Sequence, residues 1–149
     1  MQKMKLRYRK GIFLVVYAKS RTDKTEYLLL HRILHWRGWE FPKGGIEKGE
    51  AIKSAVKREF KEETGLKPSR IVDMHIKGKF TYPRKLADRP GIKGMEWRLF
   101  LIETKKAKAR IDGLEHNNYK WLPFKEAYKK LKFSDKKQCL KIVDKYLKR

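Results

Sequence analysis

Two short apolar runs near the N-terminus determine the first elements of the predicted fold. Residues 11–18 are almost entirely apolar, residues 26–32 contain a second apolar run, and a polar stretch separates the two. Short runs rich in β-branched and aromatic residues, joined by a polar turn, are typical of a β-hairpin. We therefore predict strands over 11–18 and 26–32, followed by a short strand near Glu40 and Phe41.

The spacing of apolar residues changes in the middle of the chain. The segment 43–49 is rich in glycine, and we predict a loop there. From Glu50 to Thr64, apolar residues recur every three or four positions, which predicts an amphipathic helix. Gly65 stands where a helix C-cap glycine belongs, and Pro68 is consistent with the helix having ended.

The C-terminal half contains further strand patterns. Strands are predicted over 71–76, with an extension over 79–82, and over 95–102 and 118–122. The stretch 84–94 holds Pro and Gly among cationic residues, so we predict a long mobile loop.

Two helices are predicted to close the chain. Pro123 suits the first turn of one helix, and Ser134 or Asp135 is the predicted N-cap of the other. The last helix presents an apolar face formed by Cys139, Leu140, Val143 and Leu147. A sheet flanked by helices from the middle and the end of the chain predicts an α/β sandwich.

Length and charge define the class of protein. We expect one domain over residues 1–149. Lys and Arg number 40 against 17 Asp and Glu, which gives a net charge of +23. This imbalance favours an acidic partner or substrate, although a basic surface that only maintains solubility has the same composition. A hydrophobic fraction of 40%, with 12% aromatic residues, excludes a disordered chain.

Cysteine usage and hydropathy indicate the compartment. Cys139 is the only cysteine, which excludes an internal disulfide and a Cys-based zinc cluster. This suits a reducing cytosol, so we expect a cytoplasmic protein. No apolar run approaches the roughly 18 residues of a membrane span, so we expect no membrane partner. The basic stretch 3–10 before an apolar run resembles a secretion signal, but the hairpin is the favoured interpretation.

Three acidic residues cluster on the predicted central helix. Glu59, Glu62 and Glu63 share one face, because positions three and four apart are neighbours across a turn. Mg²⁺ would relieve their mutual repulsion, since it binds carboxylate and phosphate oxygens. The alternative is a solvated face with intrahelical ion pairs, and the three acids alone favour that alternative.

The full spacing of residues around these acids favours a metal site over a solvated helix face. The segment from Gly44 to Leu66 reads G-x5-E-x7-R-E-F-K-E-E-T-G-L, and it resembles the Nudix box of the Nudix hydrolases without a departure. The resemblance implies a Nudix α/β/α sandwich, in which a mixed β-sheet lies between helices. It also implies a loop–helix–loop that binds Mg²⁺ or Mn²⁺ and cleaves phosphoanhydride bonds of nucleoside diphosphate-linked substrates.

The resemblance implies roles for the acidic residues of the box. The implied metal ligands are Glu59, Glu62, Glu63 and the backbone carbonyl of Lys43 or Gly44. The candidate catalytic residues are Glu59, Glu62 and Arg58, and a glutamate of the box or a remote one would deprotonate the attacking water.

The remaining box residues have supporting roles. Arg58 is expected to orient the glutamates, and Glu50 to link the loop across the box. Gly44 and Gly65 are expected to serve through their backbones, as a turn that frees a carbonyl and as a helix cap.

The flanks of the box resemble two branches of the family. The segment 39–46 is similar to both the asymmetric diadenosine tetraphosphate (Ap4A) hydrolases and the RNA 5′-pyrophosphohydrolases. The segment 115–122 resembles the first branch more closely, so the favoured expectation is cleavage of a dinucleoside polyphosphate, Ap4A to ATP and AMP. The resemblance implies that Tyr82 and Tyr119 stack on bases and that Lys43 and Lys93 contact phosphate. His31 is a further candidate substrate-binding residue, because it is predicted to end a strand that faces the box.

Other interpretations remain open. The segment 91–97 resembles the RNA enzymes and suggests Glu96 as an extra metal ligand, while the charge of +23 suits an RNA partner. A non-catalytic Nudix-fold RNA-binding module is disfavoured, because such modules typically lose box glutamates. The aromatic residues could equally be core or surface residues. The other histidines, His35, His75 and His116, are predicted to be surface or hydrogen-bonding residues.

Overall fold

The computed structural model describes residues 5–148. Ten elements follow one another along this part of the chain. They are β1 (Arg7–Lys19), β2 (Thr25–Arg32), β3 (Gly38–Glu40), β4 (Lys43–Gly45), α1 (Ile52–Thr64), β5 (Pro68–Thr81), β6 (Ile92–Thr104), β7 (His116–Leu122), α2 (Phe124–Lys130) and α3 (Ser134–Leu147).

The strands of the described region form one mixed sheet. Its main path is β3-β2-β1-β6-β5, with β4 beside β1 and β7 beside β2. Strands β1 and β6 are parallel, with Ile12 opposite Arg98, and the other pairings are antiparallel. A parallel pair requires a long crossover connection, which here includes the box and α1.

Both faces of the sheet are covered by helices. The side chains of β1 alternate between the faces, because successive residues of a strand point to opposite sides. Ile12, Leu14 and Val16 pack with residues of α1, whereas Phe13, Val15 and Tyr17 pack with residues of α3. Burial on both sides explains why this strand reads as a continuous apolar run, and the predicted α/β/α sandwich is confirmed.

The glycine-rich segment after Phe41 is partly a strand, so the predicted loop over 43–49 is wrong for residues 43–45 and confirmed for residues 46–49. Residues Lys43–Gly45 pair with β1, and Gly44 lies opposite Ile12. Glycine has low β-propensity, so the local sequence favours no strand. The pairing arises because β1 provides a hydrogen-bonding edge there.

Several element ends also differ from the predictions. The predicted loop over 84–94 is too long, because β6 already begins at Ile92, which pairs with Arg7. The two predicted segments 71–76 and 79–82 belong to one strand, β5, which Pro68 begins. Helix α1 begins at Ile52 instead of Glu50.

The helix ends combine confirmed and wrong predictions. Gly65 caps α1 in the left-handed conformation, with φ of 70°, and its amide donates to the Lys61 carbonyl. The predicted N-cap of α3 at Ser134 or Asp135 is wrong, because the N-cap is Phe133 and no side chain caps the helix. Pro123 is the N-cap of α2, one residue before its first turn. Within the described region, no helix has both the length and the apolar character needed to traverse a bilayer.

Candidate active site and metal centre

Arg58 ties the box loop to the helix that follows it. Its Nε and Nη2 atoms donate to the two carboxylate oxygens of Glu50, both at 2.8 Å, and Nη2 also donates to the Gly45 carbonyl at 2.9 Å. The guanidinium therefore makes a bidentate pair, the most directional form of ion pair. Its Nη1 donates to Glu59 at 2.8 Å and to Glu62 at 3.3 Å. Arg58 thus holds acidic side chains of α1 in a fixed relation to the loop.

Glu59 lies between this arginine and the backbone of β4. A Cβ atom built on Gly44 would overlap the Glu59 carboxyl group, so only glycine leaves room for it. The Glu59 side chain is 12% exposed. Burial raises the pKa of this carboxyl, while the hydrogen bond from Arg58 opposes the increase.

Glu63 faces a different set of partners. It is 7% exposed, and its Oε1 atom has no hydrogen-bond partner within the described structure. The Oε2 atom lies 3.5 Å from Nδ1 of His116. One ligand atom from each of Glu63, Glu115 and His116 lies within 4.8 Å of the others. Burial, with the nearby charges of Glu115 and Glu59, raises the pKa of Glu63 to about 9.

A second buried carboxylate, Glu40, lies behind this cluster. Arg32 Nη1 donates to its Oε2 atom at 3.4 Å, and His116 Nε2 lies 3.4 Å from the same oxygen. Trp36 Nε1 donates to Oε1 at 3.3 Å. Burial alone would raise the pKa of Glu40, but Lys43, His116 and Arg32 outweigh it and hold the pKa well below its ordinary value. Glu40 is therefore an anion on which buried cationic and polar groups converge.

A cation-rich pocket opens beside these acids. Glu59, Glu115 and Gly44 are part of its lining. Its cationic lining residues are Arg9, Arg32, Lys43 and Arg89, and its aromatic ones are Trp36, Phe80 and Tyr82. Carboxylates next to so many cations are suited to a substrate that carries several phosphates.

The acidic cluster fits a divalent cation. The buried Glu63 oxygen has no donor, and other ligand atoms converge beside it. When bound, a divalent cation would neutralise phosphate oxygens and lower the pKa of a coordinated water. Glu63 and Glu115 are the carboxylates that would hold it.

The three glutamates of the predicted metal site do not meet in one group. Glu63 belongs to the cluster with Glu115 and His116, while Glu59 lines the pocket and binds Arg58. The Glu62 side chain is 59% exposed and contacts Arg58. Their roles as ligands and catalytic residues stay predictions.

Two predicted substrate-binding residues lie at the pocket. Lys43 Nζ is buried, 3.7 Å from Glu40 Oε1 and 4.6 Å from the centre of the Trp36 ring. Burial lowers the pKa of Lys43 to about 8, against the opposing effect of Glu40. Tyr82 lines the pocket, and its amide donates to the Lys93 carbonyl at 2.8 Å, so Lys93 lies on the adjacent strand.

Other predicted residues lie elsewhere. His31 bonds Asn117 at 2.7 Å and packs 5.1 Å from the Trp39 ring. Tyr119 lies opposite Leu30 and packs against the core beneath α1. The Lys93 ammonium lies 4.8 Å from the ring of Tyr8. Glu96 lines a separate cleft with Lys10, Lys79 and Arg98 among its walls.

Several site residues have roles that the sequence does not predict. The sequence predicts no role for Glu40, Glu115 or Arg32. It predicts His116 to be a surface or hydrogen-bonding residue, whereas the residue is buried, with 1% exposed. Two signals were present: Glu40 stands between aromatic residues in a short strand, and Glu115 precedes His116 directly. Neither signal reveals that the side chains of Glu40 in β3, His116 in β7 and Glu63 in α1 come together.

The fold and the site together define a class of protein. A mixed sheet between helices carries a strand–loop–helix segment whose carboxylates adjoin a cationic pocket, an arrangement suited to hydrolysis of a phosphoanhydride. The NUDIX domain family matches residues 7–141, and the chain belongs to this family. The expectation of a Nudix-type pyrophosphohydrolase, an enzyme acting on acid anhydrides, is confirmed.

The similar proteins include RNA pyrophosphohydrolases and an Ap4A hydrolase. The chain is 32% identical over 145 residues to an RNA pyrophosphohydrolase of Nitratiruptor sp., covering 94% of each chain. It is 29% identical over 156 residues to an RNA pyrophosphohydrolase of Helicobacter pylori, covering 96% of this chain and 95% of the relative. The solved binary complex of a C. elegans Ap4A hydrolase is similar with a TM-score of 0.74 and 26% identity, covering 93% of this chain and 97% of the other.

Proposed function

We propose that this protein is an RNA 5′-pyrophosphohydrolase that uses a divalent cation, Mg²⁺ or Mn²⁺. The reaction adds water to a phosphorus atom of a 5′-triphosphate end. A new P–O bond forms to the water oxygen, and a bridging P–O bond breaks. The products are RNA with a 5′-monophosphate and pyrophosphate.

The observation that carries this proposal is an aromatic groove that is continuous with the cationic pocket beside the acids. The cationic pocket shares Trp36, Phe80 and Tyr82 with a neighbouring groove. The groove continues to Phe133 and Lys136 at the start of α3. Aromatic faces next to cations are the usual platform for single-stranded nucleic acid, because bases stack on the rings while the cations neutralise phosphates.

The choice between the two substrates reverses the order expected from the sequence. An RNA chain continues past its first nucleotide, and the groove provides room for that continuation. The full-length likeness to RNA pyrophosphohydrolases supports the same choice. Hydrolysis of Ap4A is the second candidate, since a C. elegans Ap4A hydrolase shares the fold and 26% of residues.

The side chains of the pocket have separable tasks in this reaction. Arg9, Arg32 and Arg89 lie where they would neutralise the phosphates and stabilise the charge that develops on the leaving pyrophosphate. Glu59 presents its carboxylate to the same pocket, where it would accept the proton of the attacking water. Arg58 keeps Glu59 in place through the contact at 2.8 Å.

The test uses the full chain with two substrates in parallel. The protein is incubated with Mn²⁺ or Mg²⁺ and either 5′-triphosphorylated RNA or Ap4A, and the products are separated by gel electrophoresis and anion-exchange chromatography. We expect the RNA to be cleaved to pyrophosphate and 5′-monophosphorylated RNA. The kcat/KM of this reaction is expected to exceed that of Ap4A cleavage to ATP and AMP. Glu63→Gln is expected to abolish turnover of both substrates.

The outcomes distinguish the candidate functions. Faster cleavage of Ap4A than of RNA would favour the dinucleoside polyphosphate instead. Tight RNA binding without cleavage of either substrate, at saturating Mn²⁺ and Mg²⁺, would identify a binding module. A matched RNA with a 5′-hydroxyl end, which has no phosphoanhydride, is the control for contaminating nuclease.

A further inference from the structure

His116 lies between two buried carboxylates. Its Nε2 atom is 3.4 Å from Glu40 Oε2, and its Nδ1 atom is 3.5 Å from Glu63 Oε2. The residue is 1% exposed, so water from the bulk does not separate these groups. Each ring nitrogen therefore has its own acidic neighbour.

The surroundings of Glu40 determine which nitrogen carries the proton. Arg32, Lys43 and Trp36 surround Glu40 with positive charge and donors. An anion held in this way accepts a hydrogen bond, so Nε2–H of His116 donates to it. The neutral imidazole then has its lone pair on Nδ1, directed towards Glu63.

The arrangement on the other side of the ring fits a cation. When Glu63 is ionised, its Oε2 atom and the lone pair on Nδ1 are both acceptors, and the two atoms lie 3.5 Å apart. The Oε1 atom of Glu63 also lacks a hydrogen-bond partner. Glu115 brings a third ligand atom, and the three atoms lie within 4.8 Å of one another.

We propose that His116 Nδ1 is a direct ligand of the divalent cation, together with Glu63 and Glu115. Glu40 is then the outer carboxylate that fixes the ring, as is usual for metal-binding histidines, whose second nitrogen donates to a carboxylate or carbonyl. The inference rests on the proposed function, because the same centre serves the hydrolysis. It adds a nitrogen ligand to a site that the sequence predicts to be made of oxygens alone.

A nitrogen ligand changes which cation the protein prefers. Mg²⁺ is a hard ion that favours oxygen ligands. Imidazole binds Mn²⁺, Co²⁺ and Zn²⁺, and its affinity for Mn²⁺ is the lowest of the three. We therefore expect Mn²⁺ and Co²⁺ to bind more tightly than Mg²⁺. His116→Gln replaces the ligand nitrogen by an amide group, and this change is expected to reduce the difference in affinity between Mn²⁺ or Co²⁺ and Mg²⁺.

Pulsed electron paramagnetic resonance of bound Mn²⁺ tests the ligand directly. Wild-type protein loaded with one equivalent of Mn²⁺ is expected to show a nitrogen coupling that changes when all histidines are labelled with ¹⁵N. His116→Gln is expected to remove the coupling and to weaken Mn²⁺ binding about 10- to 100-fold, the effect typical of disturbed metal sites. His75→Asn, at an exposed histidine on β5, is the matched control. It is expected to keep both the nitrogen coupling and the wild-type affinity for Mn²⁺.

A second variant covers the case in which His116→Gln does not fold. The triple variant His31→Asn, His35→Asn, His75→Asn leaves His116 as the one histidine, since the chain has 4. Its nitrogen coupling is expected to persist. Stoichiometric Mn²⁺ binding without a histidine coupling in wild-type protein would overturn the inference, even if RNA is cleaved. A histidine coupling without cleavage of RNA would overturn only the proposed function.

Discussion

The backbone of Gly44 lies directly against the carboxyl group of Glu59. A side chain at position 44 would occupy the space of that carboxylate. Because Gly44 belongs to β4, which pairs with β1, the central sheet itself determines where Glu59 can lie. Arg58 holds the same carboxylate from the other side, at 2.8 Å. The position of this acid is therefore set jointly by strand pairing and by an ion pair.

Gly44→Ala is expected to displace Glu59 and to lower kcat at least tenfold, while the protein still folds. The measurement is kcat on 5′-triphosphorylated RNA, with circular dichroism to check the fold. Gly113→Ala is the matched control, because Gly113 has φ of 78° and open space around its Cα. That variant is expected to lose about 1 kcal/mol of unfolding free energy through backbone strain and to keep its kcat. Equal kcat values for the two variants would contradict the packing argument.

Arg58→Lys is expected to lower activity about 10- to 100-fold, although the charge is kept. A lysine has one ammonium group and cannot make the bidentate pair with Glu50 while it also reaches Gly45 and Glu59. The assay compares kcat and KM of Arg58→Lys with those of Lys57→Arg, a change at a neighbouring exposed position. Wild-type kinetics for Arg58→Lys would show that charge alone is needed.

Glu63→Gln is expected to raise the thermal stability of the protein without divalent cation and to reduce the stability gained when the cation binds. Without the cation, the amide removes a buried carboxylate with an unpartnered oxygen that lies near Glu115, so the melting temperature is expected to rise by a few degrees. In wild-type protein, Mn²⁺ at about 100 times its Kd is expected to add about 2.7 kcal/mol of stability, and the variant is expected to gain much less. Thermal unfolding with chelator and with Mn²⁺ measures both effects. An equal Mn²⁺-induced shift in the two proteins would exclude Glu63 as a ligand.

Cys139 is expected to resist thiol reagents in the native protein. It is 1% exposed, and burial raises the pKa of its thiol to about 12. Because the thiolate is the reactive form, raising the pH from 7 to 9 is expected to leave native labelling slow. Labelling is measured by absorbance with a chromogenic disulfide, with the urea-unfolded protein as the control that reacts at once. Native labelling that accelerates with a midpoint near pH 8.5 would contradict the burial.

The sequence predicts the parts of the fold that repeat a local pattern. The period of apolar residues across 52–60 predicts α1, and Gly65 predicts its end because the left-handed conformation there favours glycine. The apolar run of β1 predicts a buried strand. These features depend on residues that are near one another in sequence, so local patterns reveal them.

Long-range pairing explains what the sequence did not predict. Gly44 forms a strand because β1 lies beside it, and no local propensity favours this outcome. His116 meets Glu40 because β3 and β7 pair with the same residues of β2, 30–32, from its two edges. The box motif identified Glu63 as a candidate ligand, but its buried neighbours come from segments whose spacing carries no periodic signal.

The parallel pairing of β1 with β6 has a consequence for how the chain is made. A ribosome releases β1 long before β6, so the apolar strand of the first hairpin waits without its central partner while the crossover is synthesised. Exposed apolar strand edges of this kind promote aggregation, and the basic residues that begin β1, Arg7 and Arg9, place charge at one end of it. We therefore expect the nascent chain to be most prone to aggregation after its first hairpin has emerged and before β6 has.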